Sequence, residues 1–227
     1  MALTSSGPEL IAHRGASRGR LENTLPAFVL ALERGADGIE LDVHSTSDGV
    51  VVVHHDADVA GQAIAKTTWG ELSGIALSGG HRIPRLEDVL AAVGARATVY
   101  VELKGEGVDA VTLQLLKRRG HTFAVHSFDH AAIGRALTQA AHVPRGVLLD
   151  RGTDDAARVL TDVVRRVKAR DVWPHHSLVD RAFMAAAAKL QVRVIAWTVN
   201  STRDAQRLAA LGVAGICTDD VRLFANL

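Results

Sequence analysis

The sequence predicts an α/β protein that folds as one (β/α)8 barrel, or TIM barrel. Its 227 residues, 48% of them hydrophobic, suffice for one large core, and α/β barrels commonly run to about 250 residues. Short β-branched runs alternate with helical patterns along the chain, which is typical of βαβ crossovers and a parallel sheet. Counting gives eight strand–helix units. A doubly wound open sheet is the alternative that the same alternation allows.

The strands are predicted where short apolar runs are rich in β-branched residues. They cover residues 9–14, 38–43, 98–105, 122–128, 145–150, 171–176, 192–200 and 215–219. Helices are predicted where apolar residues recur with the helical period, and the first of them is closed by Gly35. They cover residues 22–35, 86–94, 108–120, 130–141, 154–169, 178–191, 201–212 and 221–227.

Two segments do not fit the simple alternation. The valine run GVVVVH at 49–54 is interpreted as a continuation or a partner of the second strand. Residues 56–85 are glycine-rich and have no clean period, so they are predicted to form a short irregular insertion after that strand. No linker or second domain is visible, and residues 1–227 are predicted to form one domain.

Composition excludes several functional classes. Lys and Arg total 26 against 25 acidic residues, a net charge of +1, so the charge balance indicates neither nucleic acid nor an anionic membrane as a partner. The single cysteine, Cys217, allows no internal disulfide. The N-terminal residues do not resemble a signal peptide, and no apolar run reaches the roughly 18 residues of a spanning helix. We therefore expect a cytoplasmic protein without stable membrane association.

Two strands break the rule that buried parallel strands are almost entirely hydrophobic. In GIELDV at 38–43, Glu40 and Asp42 share one face of the strand, because side chains alternate between faces. In TVYVELKG at 98–105, Glu102 and Lys104 likewise share a face. These charges lie toward the carboxyl ends of their strands, where the active sites of barrel enzymes are built.

Three carboxylates facing one enclosed volume require compensating charge. Lys104 can offset one of them, and a divalent cation can offset the other two. An all-oxygen ligand set favours Mg²⁺, Ca²⁺ or Mn²⁺ over Zn²⁺. The structural alternative is a buried ion-pair network, which explains Glu102 with Lys104 but leaves Glu40 and Asp42 without a named partner.

His13 and Arg14 end the first strand, at the same rim of the predicted barrel. Arginine binds phosphate or carboxylate bidentately, and histidine carries protons near neutral pH. A second pair, His54 and His55, ends the valine run. Alternation places these two side chains on opposite faces, so the pattern by itself does not choose between them.

The motifs together resemble one enzyme family. The segments HRGASRGRLENT, ADGIELDVHSTSDGVVVVHHD and VELKG are similar to the glycerophosphodiester phosphodiesterase family, and weaker similarity at IPRLEDVL, HSF, AWTVN and GICTD extends it over nearly the whole chain. The resemblance implies a (β/α)8 barrel that hydrolyses a small-molecule glycerophosphodiester to an alcohol and glycerol 3-phosphate with one divalent cation, Mg²⁺ or Ca²⁺ with Mn²⁺ as an option.

The resemblance also implies roles for individual residues. His13 and His55 match the two catalytic histidines, which leaves His54 without a role, and Arg14 and Lys104 match phosphate-binding residues. The implied metal ligands are Glu40, Asp42 and Glu102. Glu22 and Asn23 match a motif near the site, although Asn23 could equally cap the first helix.

Other residues and rival functions stay open. Trp197, with His126 and Phe128, is a candidate for lining the glycerol pocket, and packing is the alternative; His175 and His176 are a candidate rim pair.

Three features depart from the family pattern and put substrate preference in doubt: the segment DADVAGQAIAKTTW, Arg85 and Asp220. The rivals are a related barrel that cleaves lyso- or phospholipids, a silent barrel that binds a phosphorylated metabolite, and a metal-dependent lyase or aldolase.

Overall fold

The structure, a computed structural model, describes residues 7–116, 122–154 and 156–226. Its strands are β1 Glu9–His13, β2 Gly38–Ser45, β3 Val51–Val53, β4 Asp58–Val59, β5 Gln62–Ala63, β6 Thr98–Leu103, β7 Phe123–Ser127, β8 Arg145–Leu149, β9 Asp171–Pro174, β10 Arg193–Ala196 and β11 Gly215–Thr218. Its α-helices are α1 Leu25–Glu33, α2 Trp69–Leu72, α3 Leu86–Val93, α4 Val108–Leu116, α5 His130–Gln139, α6 Ala156–Val167, α7 Arg181–Lys189 and α8 Thr202–Leu211.

Parallel strands close into a barrel. Among the described residues their order is β1-β11-β10-β9-β8-β7-β6-β2, and β1 pairs with β2 to complete the ring. Helices connect successive parallel strands from β6 onward, and α1 connects β1 to β2. The predicted (β/α)8 barrel is therefore confirmed, and the doubly wound open sheet is wrong.

Two hydrophobic layers hold the barrel. The outward faces of the strands pack against the helices, and the alternate residues Ile39, Leu41 and Val43 of β2 are all fully buried there. Inside the ring, Tyr100, Trp173 and Ile195 belong to a smaller buried cluster. The inner positions above this cluster carry the charged residues of β2 and β6, as their alternation predicts.

The valine run and the insertion are more ordered than the sequence suggested. Three of the valines form β3, which pairs antiparallel with β2, so the run is a partner and not a continuation of that strand. The segment 56–85 contains the hairpin β4–β5 and the short helix α2. Its apolar side chains Val59, Ile64, Leu72 and Ile83 form a cluster of their own on Val52.

Several predicted boundaries shift. The first helix begins at Leu25, not at residue 22, because Thr24 is the extended residue that precedes it, and Asn23 therefore does not cap the helix. The last predicted helix, 221–227, is a 3-10 helix over Val221–Asn226. The end of the helix predicted over 108–120, with the basic pair Arg118 and Arg119, lies outside the described residues. No helix within the described ranges combines the length and the apolar character needed to cross a bilayer.

Candidate active site

A cavity of about 170 Å³ opens at the carboxyl ends of the barrel strands. Most of the residues predicted for the site line it, together with aromatic and apolar side chains of the strands that follow. The lining residues are His13, Arg14, Glu40, His55, Glu102, Lys104, His126, Phe128, Leu148, Trp173, Trp197 and Cys217. Asp42, Glu22 and Asn23 lie behind this lining and contact Arg14 or one another, as described below.

Strand register brings the carboxylates together. Asp42 on β2 is the direct neighbour of Glu102 on β6, which in turn neighbours His126 on β7. One step lower, Glu40 neighbours His13 on β1. Because these positions all face the interior of the ring, residues up to 113 positions apart in the chain share one small volume.

Asp42 is completely buried and is surrounded by donors and cations. Asn23 Nδ2 donates to its Oδ2 at 2.8 Å, Arg14 Nε lies 3.1 Å from the same oxygen, and Lys104 Nζ lies 3.3 Å from Oδ1. Burial by itself raises the pKa of Asp42, but the charges of Arg14 and Lys104 and the bond from Asn23 outweigh it and hold that pKa below its usual range. Asp42 therefore stays ionised.

Glu102 behaves in the opposite way. Burial and the neighbouring negative charge of Asp42 raise its pKa above the usual range, although Lys104 Nζ donates to its Oε1 at 2.9 Å. The three buried carboxylates Glu40, Asp42 and Glu102 outnumber the two cations Arg14 and Lys104 beside them, so one negative charge is in excess when all three are ionised. A cation in the cavity would relieve it.

The donor set fits a divalent cation. Glu40, Glu102 and His126 each offer one ligand atom, and these three atoms lie within 4.8 Å of one another. Oδ1 of Asp42 is buried and accepts no hydrogen bond among the described residues, and its neighbouring cation is Lys104, with Nζ 3.3 Å away. Carboxylate oxygens are the ligands that hard divalent cations prefer.

Arg14 reaches the site from an unusual backbone conformation. It has a φ of 55° and is followed by Gly15 with a φ of 82°. A Cβ on Gly15 would lie 2.8 Å from the carbonyl carbon of Ala27, so only glycine allows this close turn. The turn directs the backbone N–H of Arg14 to Glu40 Oε2 at 3.2 Å, while Nη1 donates to Glu22 Oε1 at 2.8 Å.

Each of the two predicted catalytic histidines carries an aspartate on Nδ1. His13 Nδ1 lies 2.6 Å from Oδ1 of Asp219, and His55 Nδ1 lies 2.8 Å from Oδ1 of Asp56. Burial lowers the pKa of His13, but the bond to Asp219 and the charge of Glu40 outweigh it, so that pKa is raised. His55 lines the cavity and His54 does not, which answers the question that alternation left open.

The opposite wall of the cavity is aromatic. Phe128, 42% exposed, packs edge-on against Trp197 with ring centroids 5.4 Å apart. Trp197 Nε1 donates to the carbonyl oxygen of Trp173 at 2.9 Å, which fixes the indole at the rim. His126 lies below it, 1% exposed, with Nε2 3.4 Å from Glu40 Oε1.

A family model with the description glycerophosphoryl diester phosphodiesterase family matches residues 13–223. The chain belongs to this family. The prediction of a glycerophosphodiester phosphodiesterase, a phosphoric diester hydrolase, is thereby confirmed at the level of the family.

Relatives within this family span almost the whole chain. A glycerophosphodiester phosphodiesterase of Caldanaerobacter subterraneus subsp. tengcongensis is 32% identical over an alignment of 238 positions, which covers 96% of each chain. The crystal structure of glycerophosphodiester phosphodiesterase from Thermotoga maritima has a TM-score of 0.84 at 26% identity, covering 96% of this chain and 97% of that one. An Oleispira antarctica phosphodiesterase in complex with the product sn-glycerol-3-phosphate shares the fold, with a TM-score of 0.87, 22% identity and coverage of 97% and 96%.

The sequence gives no clear signal for two parts of the candidate site. Asp219 lies within the weak similarity at GICTD, and nothing in the sequence predicts its contact with His13. His126 was interpreted as a pocket or packing residue and not as a neighbour of the carboxylates. The candidate rim pair His175 and His176 does not line the cavity, although the His175 ring lies 5.6 Å from that of Trp197.

Proposed function

We propose that the chain hydrolyses water-soluble glycerophosphodiesters to an alcohol and glycerol 3-phosphate, with a divalent cation held by Glu40, Asp42 and Glu102 and with His13 and His55 as the acid–base pair. The observation that carries the proposal is the composition of the cavity. Carboxylates able to bind a cation, the cations Arg14 and Lys104 and both histidines face the same 170 Å³.

Charge neutralisation is the first requirement of this reaction, because a phosphodiester anion repels nucleophiles. Arg14 and Lys104 lie at the cavity wall and are oriented by carboxylates, so they are suited to hold the phosphoryl oxygens. A bound divalent cation would add charge neutralisation and polarise a phosphoryl oxygen. Family membership and the excess of buried carboxylates support the presence of this ion.

Proton transfer is the second requirement. In net terms, an oxygen of water or of the substrate's own glycerol bonds to phosphorus, the bond to the alcohol oxygen breaks, and the alcohol leaves with a proton. The route through the glycerol hydroxyl gives a cyclic phosphate, which water then opens to glycerol 3-phosphate. One histidine accepts the proton of the attacking group and the other donates to the leaving oxygen; each transfer is typically worth about 10² to 10⁴ in rate. Asp219 and Asp56 hold Nδ1 of the two rings, which leaves Nε2 of each for this exchange.

The test uses the purified protein with glycerophosphocholine and glycerophosphoethanolamine and follows the release of glycerol 3-phosphate. We expect release that EDTA abolishes and that Mg²⁺, Ca²⁺ or Mn²⁺ restores. A His13→Asn variant should lose at least about 10²-fold in kcat, whereas His142→Asn, on an exposed residue between α5 and β8, is the matched control.

Two results would reject the proposal. If the protein binds glycerol 3-phosphate but releases none from either diester with any ion, it is a phosphometabolite-binding barrel. If it cleaves lysophosphatidylcholine in vesicles faster than glycerophosphocholine and sediments with those vesicles, the lipid-cleaving rival is correct. The cytoplasmic location and the absence of stable membrane association stay predictions.

A further inference from the structure

His126 is a buried histidine that the acid–base chemistry does not use. Its side chain is 1% exposed, and its Nε2 lies 3.4 Å from Oε1 of Glu40. One ligand atom from each of Glu40, Glu102 and His126 falls within 4.8 Å of the other two. Ligands that share one cation at about 2.0–2.2 Å lie roughly 3–4 Å apart, so small side-chain adjustments would bring all three onto one ion.

The imidazole of His126 is held in place by its neighbours. Its ring lies against Trp173, with centroids 4.4 Å apart. Trp173 occupies the space next to Gly146, where a Cβ would lie 2.8 Å from the indole Nε1 and 3.0 Å from the Cβ of His126. The strand register also fixes its depth, because the Cα of His126 pairs with that of Glu102 on β6 and with that of Gly146 on β8. Because His126 lies on a strand and not on a loop, its ring faces the carboxylates without a change in the backbone.

Asp42 is engaged differently from these three residues. Its Oδ2 accepts from Asn23, and both of its oxygens lie close to a cation, Arg14 or Lys104. Asp42 is not among the residues whose ligand atoms lie within 4.8 Å of one another. Glu40 and Glu102 have fewer such partners, and His126 completes a set of two oxygens and one nitrogen.

We propose that His126 is a further direct ligand of the divalent cation, added to the proposed carboxylate ligands, of which Glu40 and Glu102 lie within its reach. The proposal rests on the proposed function, which requires the ion, and goes beyond it by adding a nitrogen donor to a carboxylate site. Imidazole favours first-row transition ions over Mg²⁺ and Ca²⁺. The site therefore selects Mn²⁺, Co²⁺ or Zn²⁺ more strongly than carboxylates alone would.

The gain in affinity from this ligand should be moderate. A ligating histidine is usually supported by an acceptor for its second ring nitrogen, and Nδ1 of His126 has no hydrogen-bond partner among the described residues. We expect His126→Gln to weaken Mn²⁺ binding by about tenfold, at least as much as the loss of a residue that supports a metal ligand usually costs. The affinity for Mg²⁺, which depends less on nitrogen ligands, should fall by less than about threefold.

The direct test is pulsed EPR on the Mn²⁺-loaded wild-type protein. Electron spin echo modulation detects a ¹⁴N nucleus bound to Mn²⁺, and labelling the histidines with ¹⁵N changes the modulation frequencies. We expect a directly bound imidazole nitrogen in the wild type and its loss in His126→Gln. His44→Gln is the matched control, because His44 is also a buried histidine of the barrel and uses its Nε2 on the carbonyl oxygen of His55. This control should keep the signal.

Each outcome decides between the two proposals. Mn²⁺ that binds without ¹⁴N modulation overturns the ligand assignment of His126 and leaves hydrolysis by a carboxylate-held ion intact. A nitrogen signal that survives in His126→Gln, or disappears in His44→Gln, also overturns it. Wild-type protein that leaves the signal of free aqueous Mn²⁺ unchanged, in an assay that also shows no hydrolysis, rejects the proposed function itself. The wild-type measurement stands even if the His126 variant does not fold.

Discussion

At the scale of single residues, the proton affinity of His13 depends on Asp219. That carboxylate accepts from Ser17 Oγ at 3.2 Å and from Asn200 Nδ2 at 2.6 Å, besides its 2.6 Å contact with His13 Nδ1. Burial by itself raises the pKa of Asp219, but these bonds and the charge of His13 lower it, so the carboxylate is ionised beside the ring. Asp219 is thus held by Ser17 and Asn200, and it in turn orients the ring of His13.

The Asp219→Asn variant should lower the pKa of His13, since the bond and the charge that raise it are removed while burial, which lowers it, remains. We expect kcat/KM to fall by about 10² or more, since an amide in place of the orienting carboxylate can favour the wrong tautomer. NMR titration of the His13 ring proton measures the first effect, and steady-state kinetics measure the second.

Asp56→Asn is the matched control for that experiment. Asp56 contacts His55 at the rim with 71% of its side chain exposed, against 31% for Asp219. Solvent screens an exposed pair, so the change should cost far less. If both variants lose the same activity, or if the pKa of His13 does not move, Asp219 does not position His13.

Asn23 combines a backbone role with a side-chain role. It has a φ of 54°, a region that asparagine tolerates and that costs other non-glycine residues about 1–2 kcal/mol. Its amide also donates to the buried Asp42 at 2.8 Å. We expect Asn23→Ala to lose both contributions and Asn23→Gly only the hydrogen bond, so alanine should be the less stable by about 1 kcal/mol. Urea unfolding of the two variants measures this difference; equal stability would show that the backbone is not strained.

The sequence predicts the inward-facing charges because the alternation of side chains along a strand is a local pattern. It does not predict contacts between residues that are far apart in the chain. Glu40, Asp42 and Glu102 were predicted to face the cavity from two short strands, and Glu40 and Glu102 line it with Asp42 just behind. His13 and Asp219 are 206 residues apart, and they meet only because β11 lies beside β1 when the barrel closes. A closed barrel makes the first and last strands neighbours, so the ends of both strands can be searched for such pairs.

At the scale of elements, alternating β-branched and helical patterns were sufficient for the eight parallel strands but not for β3. Residues 49–54 have the composition of a buried strand, and the sequence contains no signal of whether such a run enters the ring or folds back. The segment after it has its own small core, in which Ile64 and Leu72 are completely buried. Short two-residue strands and a four-residue helix are below the length at which periodicity can be recognised.

The carboxyl-terminal ends of α5 and α6 both contact the buried side chain of one arginine. Arg145, 6% exposed, donates to the carbonyl oxygens of Ala140 and Ala141 after α5 and of Val167 and Lys168 at the end of α6. The last carbonyl groups of a helix have no partner within the helix and carry partial negative charge. The guanidinium therefore satisfies groups of both helix ends at once.

Replacing Arg145 by methionine keeps most of the side-chain length and removes these donors. We expect a loss of about 2–4 kcal/mol in the free energy of unfolding, because several buried carbonyl groups lose their partners together. Chemical denaturation measures the loss, and Arg203→Met on the exposed face of α8 is the control. A change at Arg145 no larger than at Arg203 would mean that water replaces the guanidinium.

At the scale of the whole molecule, the two ends of the barrel carry different charge arrangements. At the amino-terminal end, Tyr100 donates its hydroxyl to Glu9, and Arg193 pairs with both Glu9 and the fully buried Asp171. Opposite charges are matched there across β1, β6, β9 and β10. At the carboxyl-terminal end, carboxylates accumulate around a cavity with Arg14 and Lys104 as the neighbouring cations. The first arrangement closes the barrel, and the second would be neutralised by the divalent cation that we propose.

A divalent ion should therefore stabilise the whole fold. At about 100 times its dissociation constant, an ion that binds only the folded protein adds about 2.7 kcal/mol. Since about 1 kcal/mol corresponds to roughly 2–4 °C for a chain of this size, we expect the melting temperature to rise by about 5–10 °C when Mn²⁺ or Mg²⁺ is added to EDTA-treated protein at constant ionic strength. Calorimetry on the wild type and on Glu102→Gln measures the effect. In the variant the melting temperature should rise much less, because the variant lacks one ligand and one of the negative charges that attract the ion. An equal increase in both proteins would place the stabilising ion somewhere other than the mouth of the barrel.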